Sequence, residues 1–307
     1  MSKNIVVVGS SNTDMIIQME RIPKPGETVI GGKFSTAQGG KGANQAVAAV
    51  RAGGKVFFIG RIGKDMFGEK TLTGFKSYGL KTNYVIEDTK EPSGVALIFV
   101  DAKGENSIAV ASGANAFLSK SDIIDNTDLI KRADILLMQM ETPVVTIETA
   151  ARIAAANKVK VILNPAPAQK LSKSLLRNTS IITPNESEAE LLTGIKMKSN
   201  KDVEKAAQAL KEMGIKTVII TMGAKGCYVL DDSFTGIVPA FKVKAVDTTA
   251  AGDVFNGALA VALTDKKELV DAVKFASAAS ALSVMKLGAQ TSAPSKEEIE
   301  DFLAKNS

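Results

Sequence analysis

The chain has 307 residues, with 45% hydrophobic and 23% charged residues, 5% aromatics and a formal net charge of +5; this is the balance of a globular protein with a mainly aliphatic core. It contains no histidine, which removes Ser–His catalysis, histidine acid–base chemistry and histidine-ligated metal together. A single cysteine, Cys227, excludes an intrachain disulfide, and the scattered Lys and Arg form no basic run interleaved with aromatics, which argues against a nucleic-acid groove.

The length suits one large α/β domain, alone or with an appendage. No apolar run approaches the roughly 20 residues of a membrane-spanning helix, and the N-terminus leads straight into a short apolar run rather than a signal peptide. A reducing, cytoplasmic location is expected.

Ile5 to Val8 is a continuous apolar run ending at Gly9-Ser10-Ser11, the pattern of a strand buried on both faces of a parallel sheet. Asn12 and Asp14 follow just beyond its end, where ligands of open α/β sheets gather; a turn in which both bond local backbone accounts for them equally well. Met15-Ile16-Ile17-Gln18-Met19 and Thr28-Val29-Ile30 flank Pro23-Lys24-Pro25-Gly26-Glu27 and predict two short strands joined by a turn. Gly39-Gly40-Lys41-Gly42-Ala43-Asn44-Gln45-Ala46 then opens a helix reaching about Gly53, its glycines allowing a ligand to approach the backbone. The spacing is neither a Walker A loop nor a dinucleotide G-x-G-x-x-G.

Val56 to Ile59 predicts a second core strand and Phe67 to Tyr78 a helix. Ser93 to Asp101 and Ser107 to Ala111 are short β-rich runs; with residues 15–38 they form either a small sheet acting as a lid or an edge extension of the main sheet. A lid excludes water that competes with an alcohol acceptor. From residue 113 strands and helices alternate regularly. Ile135 to Met138 is a strand presenting Gln139 and Glu141 at its end, and a helix over 143–156 follows. Val161 to Leu163 leads into Asn164, and Ile181-Ile182 into a helix over 186–193. At that helix start Glu186 and Glu188 either complement the dipole or serve Mg²⁺ through water. A helix over 201–213 precedes the strand Thr217 to Thr221, and Met222-Gly223-Ala224-Lys225-Gly226 is a glycine turn against which a nucleotide can lie. Cys227 reads as a buried strand thiol. Helices over about 268–285 and 295–304 close the chain. Repeated strand–helix units predict a central, mostly parallel sheet with helices on both faces, plus a small β-sheet lid.

The chain is organised around Val246-Asp247-Thr248-Thr249-Ala250-Ala251-Gly252-Asp253-Val254-Phe255-Asn256-Gly257-Ala258. It reads as a strand end, a small-residue turn and a helix with Phe255, Ala258, Leu259, Ala262 and Leu263 on one face. The amides of residues 250–252 carry almost no side chain over them and suit an anion such as phosphate. Asp253 in the first helical turn is either a dipole-complementing carboxylate or a base facing a hydroxyl that attacks the phosphate those amides hold.

Two motifs, Gly39-Gly40-Lys41-Gly42-Ala43-Asn44 and Asp247-Thr248-Thr249-Ala250-Ala251-Gly252-Asp253, resemble those of the ribokinase/PfkB-type carbohydrate kinase family, and the resemblance covers nearly the full length. It implies ATP-dependent phosphorylation of the 5-hydroxyl of D-ribose, with Asp253 as base and the amides of Ala250, Ala251, Gly252 and Asp253 as anion hole. Asn12, Asp14, Gly40, Lys41, Asn44 and Glu141 would hold the sugar, with Asp253. Asn185, Thr221, Gly223, Lys225, Gly226, Gly252 and Ser277 would receive ATP, and Glu188 would serve Mg²⁺ through water. Asp247, Thr249, Ser283, Lys286, Gly288 and Ser292 would hold a monovalent cation, K⁺. The resemblance also implies a core of residues 1–10, 41–91 and 112–307, and a β lid of 11–40 and 92–111 that pairs two subunits. Val254 and Ser277 depart from the family pattern, where Thr and His are more usual. A kinase for deoxyribose, fructose, a sugar phosphate or a nucleoside, a non-catalytic sugar binder, and a nicotinamide-linked dehydrogenase are the competing readings. Asp14 and Glu141 repel a phosphorylated sugar, a binder needs no base, and the dehydrogenase glycine spacing is missing.

Overall fold

The structure, a computed structural model, describes residues 4–306. The chain opens with strand β1 (Asn4–Val8), followed by β2 (Asn12–Gln18), β3 (Lys33–Gly39), helix α1 (Lys41–Arg51), β4 (Lys55–Gly63), α2 (Met66–Tyr78), β5 (Val85–Asp88), β6 (Gly94–Val100) and β7 (Asn106–Ala111). Helices α3 (Lys120–Asp125) and α4 (Thr127–Lys131) lead to β8 (Ile135–Met138), α5 (Val144–Ala156), β9 (Lys160–Leu163), α6 (Lys173–Arg177), β10 (Ile181–Ile182), α7 (Glu186–Thr193) and α8 (Asn200–Glu212). Last come β11 (Thr217–Thr221), β12 (Cys227–Leu230), β13 (Thr235–Val238), α9 (Ala251–Thr264), α10 (Leu269–Val284) and α11 (Lys296–Lys305).

Nine strands form one sheet in the order β13-β12-β11-β10-β9-β8-β1-β4-β5, and β3-β2-β6-β7 form a separate sheet of four. All neighbours in the large sheet are parallel except β11–β12 and β12–β13. Successive residues of a strand face opposite ways, and β1 uses both. Ile5 and Val7 enter a core with residues of α1, α9 and α10, while Val6 and Val8 enter a second core with residues of α5. That two-sided burial is why the segment is unbroken Ile and Val. β1 pairs β4 on one side and β8 on the other, so the winding direction reverses there. Ligands of such sheets bind outside the carboxyl ends of the strands at this reversal, which directs attention to the segments after β1, β8, β9, β10 and β11.

The structure departs from the sequence-based expectations locally. Asn12 and Asp14 begin strand β2 rather than lying in a turn, and β2 pairs β3 at Lys33–Gly39, not at Thr28 to Ile30, which is irregular. Val246 ends no strand; it lies in an irregular, exposed segment. The edge strands β5 and β13 carry no strong sequence signal. Cys227 is a buried strand thiol, as expected, and burial pushes its pKa up to about 12.

Candidate active site

The N-terminus of α1 and the N-terminus of α9 meet at the carboxyl end of the sheet, because α9 packs against α1. A helix start leaves up to four N–H groups without intrahelical partners, and the two helices differ in how these are met. In α1 they are satisfied by the protein: Lys41 N donates to Glu141 Oε2 (2.9 Å), Ala43 N to the Ser10 carbonyl (2.8 Å), Asn44 N to the Gly40 carbonyl (2.8 Å), and Gly42 N makes a long contact to Ser10 Oγ (3.4 Å). Ser10 Oγ in turn donates to Glu141 Oε2 at 2.5 Å.

The glycines of this segment admit the chain's own β1–β2 connection. A Cβ on Gly40 (φ +87) would lie 2.8 Å from Asn12 N, and one on Gly42 would lie 2.5 Å from Ser10 N. A Cβ on Gly39 would strike the Asp14 carboxylate. The close approach sets Asn12 and Asp14 beside the start of α1. Asn12 Oδ1 accepts from Asn115 Nδ2 (2.8 Å), and Asn115 also bonds both backbone groups of Ser11. Asn115 was not singled out from the sequence; an Asn in a turn carries no signal of a long-range partner.

In α9 the outcome is reversed. Ala251 N donates to the Thr248 carbonyl (3.3 Å) and Val254 N to the Ala250 carbonyl (2.9 Å), whereas among the described residues the N–H groups of Gly252 and Asp253 have no protein acceptor. Nothing lies within 4 Å of a Cβ built on Gly252. Ala250, the N-cap, has φ 59 and ψ 12, a left-handed conformation costing a non-glycine residue about 1 kcal/mol or more. The strained turn presents open amides at the positive end of a helix.

Asp253 lies in the first turn of α9. Its Oδ2 accepts from Asn44 Nδ2 and its Oδ1 from Gln45 Nε2, each at 3.0 Å, so the carboxylate reaches across to α1. Burial raises its pKa; Lys41, Gln45 and Asn44 act against that, and Glu141 adds to it. Burial acts to lower the Lys41 pKa, but the carboxylates of Asp253, Glu141 and Glu188 outweigh it and the pKa rises. Asp14, against Gly39, is pushed up to about 6, by burial first and by Glu141 second. Asn44 Oδ1 is buried with no hydrogen-bond partner among the described residues, an acceptor left to be satisfied. Thus Asn12, Asp14, Gly40, Lys41, Asn44, Glu141 and Asp253 line one region.

A second group lies at the ends of β10 and β11, where an isolated bridge joins Asn185 to Thr221. Asn185 caps α7, accepting from Glu188 N (2.8 Å), while Glu188 Oε2 accepts from Asn185 N (2.9 Å). The Asn-x-x-Glu spacing thus has a structural use as a capping box. Glu188 nonetheless senses the site: burial raises its pKa, opposed by the Asn185 bond and Lys41, and Asp253 raises it further. Lys225 pairs with Glu186 (3.2 Å). Gly223 (φ +54) borders open space, while Gly226 (φ +100) is required because a Cβ there would lie 2.1 Å from the Val238 carbonyl oxygen. Ser277, on α10, is buried, and its hydroxyl lies beside the thiol of Cys227, the residue after this turn.

A third group surrounds Asp247. Its Oδ1 accepts from Thr249 N and its Oδ2 from Gly288 N, both at 2.9 Å. Burial acts to raise its pKa, and the bonds to Thr249 and Gly288 outweigh this and lower it, so it stays anionic. Val246 N and Asp247 N both donate to the Val284 carbonyl, which ties the turn before α9 to the end of α10. The Lys286 ammonium points away to Glu298 (2.8 Å), and Ser283 and Ser292 donate their hydroxyls to the carbonyls of Ser280 and Ala289 (2.8 Å each).

Residues 2–296 match the model of the pfkB family of carbohydrate kinases. The chain is 47% identical over 303 residues to a ribokinase of Haemophilus influenzae, covering 99% of both chains. It is 38% identical over 304 residues to a deoxyribokinase of Salmonella typhi, again covering 99% of both. The Arabidopsis thaliana ribokinase structure with ribose and ATP superposes with a TM-score of 0.92 at 32% identity, covering 99% of both chains.

Proposed function

The chain belongs to the pfkB family of carbohydrate kinases, and from that premise we propose that it phosphorylates D-ribose with ATP at the 5-hydroxyl, with Asp253 as the base. The observation that carries the reading is the contrast between two helix starts. The amides of α1 are occupied by Glu141 and Ser10, those of Gly252 and Asp253 in α9 have no acceptor among the described residues, and Asp253 stands beside these free ones on bonds from α1. A sugar hydroxyl at the Asp253 carboxylate loses its proton to it as the oxygen attacks the γ-phosphorus; the bond from that phosphorus to the β,γ-bridging oxygen breaks, ADP leaves with the bonding pair, and the free amides hold the negative charge on the transferred group.

Asn12, Asp14, Gly40, Lys41, Asn44 and Glu141 bind and orient the sugar, whose hydroxyls both donate to carboxylates and accept from amide and ammonium groups. Asn185, Thr221, Gly223, Lys225, Gly226, Gly252 and the region of Ser277 receive ATP. Glu188 would serve Mg²⁺ through water, together with the nucleotide phosphates, whose charge the ion would neutralise. Asp247, held anionic by the N–H groups of Thr249 and Gly288, would hold K⁺ together with Thr249, Ser283, Lys286, Gly288 and Ser292. Asp247 orders the turn that carries the open amides.

The separate four-stranded sheet, from segments 11–40 and 92–111, closes over the sugar and excludes water. Its register puts Met15, Ile17, Phe34, Leu97 and Phe99 on one face, and Phe34 and Leu97 are 61% and 46% exposed. A second copy of the chain would cover this face, giving a homodimer; a monomer in sedimentation velocity at micromolar concentration would remove this part. Activity is expected in the cytoplasm, and no described helix is long and apolar enough to cross a membrane.

The test is ADP release with D-ribose, ATP, Mg²⁺ and K⁺, with 2-deoxy-D-ribose, fructose and no sugar as comparisons. ADP only with another sugar overturns the substrate; ribose binding without ADP overturns catalysis. The same assay reads Asp14. Its carboxyl titrates at about 6 instead of 3.8, so below that pH it is neutral and accepts sugar hydroxyls poorly. The ribose KM is expected to rise as pH falls through 6 and to lose that limb in Asp14→Asn. The stability effect has the opposite sense: a raised carboxyl pKa favours the folded state in acid and disfavours it once ionised. Asp14→Asn should therefore raise Tm at pH 8, with the gain fading between about pH 6 and 4.

A further inference from the structure

Behind Asp253 lies a set of amide side chains to which the proposed reaction gives no task. Gln45 Nε2 donates to Asp253 Oδ1 and to Asn164 Oδ1, each at 3.0 Å, and Gln45 Oε1 accepts from Gln139 Nε2 at 2.6 Å. Asn164 Nδ2 donates to the Thr183 carbonyl (3.2 Å), Thr183 Oγ1 to Asn256 Oδ1 (2.6 Å), and Asn256 Nδ2 to the Gly252 carbonyl (2.8 Å). Gly252 is bonded to Asp253, so the path closes into a ring. Its members come from α1, from the segments after β9 and β10, and from α9, with Gln139 supporting it after β8. Its side chains are buried: Gln45 is 0% exposed, Gln139 and Asn256 1%, Thr183 2%, Asp253 6% and Asn164 7%, while Gly252 is exposed.

We propose that Gln45 is a positioning residue for phosphoryl transfer: it fixes the Asp253 carboxylate directly and, through Asn164, Thr183 and Asn256, joins the base and the open amides of the α9 start into one rigid unit. The inference rests on the reading of Asp253 as the base. Gln139 sets the direction of the Gln45 amide, since an oxygen held by a donor on one side leaves the NH₂ facing the carboxylate. A rigid base and anion hole need no reorganisation during reaction, and small misplacements there are costly. Gln45 also opposes the effect of burial on Asp253, together with Lys41 and Asn44; Glu141 and Glu188 are the carboxylates acting the other way.

The test compares Gln45→Met, which keeps approximate size without polar atoms, with Gln45→Glu, which keeps shape but sets an acceptor against Asp253. The readouts are kcat, ribose KM, Tm and the pH profile of kcat. Loss of the donor is expected to lower kcat about 10- to 100-fold with ribose KM nearly unchanged. The acid limb of kcat should move up by about one pH unit in Gln45→Met and further in Gln45→Glu. Asn256→Asp, which sets an acceptor against the Gly252 carbonyl, should lower kcat without moving KM. If Gln45→Glu folds with kcat and its acid limb unchanged, the amides are only core filling and the inference fails; this variant decides alone should Gln45→Met not fold. Asp253→Asn measured in parallel separates the cases. Retained kcat there removes the base itself, whereas its collapse beside unaffected Gln45 variants removes only the role of Gln45.

Discussion

Asp253→Asn is expected to lower kcat for ribose-dependent ADP release by about 10²- to 10⁴-fold, the usual contribution of a general base, and to leave ribose binding largely intact. The substitution keeps the shape but not the proton acceptor. Sugar binding rests mainly on Asn12, Asp14, Lys41, Asn44 and Glu141, which lie on other segments. Because the interaction lost is made only as the proton moves, kcat and kcat/KM should fall together. Isothermal titration with ribose and steady-state ADP release, run on the same preparation, give the two numbers. A kcat within tenfold of wild type, with ribose still bound, would falsify the assignment of Asp253 as base. Loss of ribose binding with little loss of kcat at saturation would make Asp253 a sugar ligand only.

Much of this site was legible because its chemistry is concentrated in two short motifs. Small residues before a helix, followed by a lone carboxylate, point to open amides next to an acidic group. The regular strands were legible for a similar reason: β1, β8 and β11 are buried on both faces and read as unbroken apolar runs. What escaped depends on contacts far apart in sequence. Gln45 adjoins Asn44 in the motif, yet nothing local shows that its amide faces residues 164 and 253. Asn115, Asn164, Thr183 and Asn256 are ordinary polar residues until the sheet brings their segments together. The glycines around Gly40 also admit the chain's own backbone, a use that leaves the same sequence trace as close approach by a ligand. The second strand of the small sheet was misplaced at Thr28 to Ile30 because β-branched residues fit a pleated surface only where a partner exists. The partner of β2 is Lys33–Gly39, a more polar segment with a largely exposed burial pattern.

Two Gly→Ala substitutions, both inside helices, should move stability in opposite directions. Gly74 lies within α2, and a Cβ there would meet nothing within 4 Å. Alanine lowers the entropy of the unfolded chain and has the better helix propensity, so Gly74→Ala should stabilise by about 0.4–1 kcal/mol. Gly257 lies in α9 where it crosses α1, and a Cβ there would come within 2.6 Å of the Gln45 carbonyl oxygen and 2.8 Å of both Ala48 Cβ and Ala49 N. Two of these are backbone atoms of a buried helix, so relief requires the helices to part. Overpacking of this kind costs about 1–3 kcal/mol, more than the propensity gain, and Gly257→Val should cost more than Gly257→Ala. The crossing also carries the bond from Gln45 to Asp253, so parting the helices loosens the base. A displacement of about 1 Å is enough for a 10²-fold loss of kcat. Gly257→Ala should therefore lower both Tm and kcat at a temperature where the protein remains folded, while Gly74→Ala raises Tm and leaves kcat alone. Thermal melts and ADP release on the two variants decide the matter. A Gly257→Ala protein as stable and active as wild type would show that α1 and α9 have slack at the crossing, and the rigidity ascribed to the base would lose its structural footing.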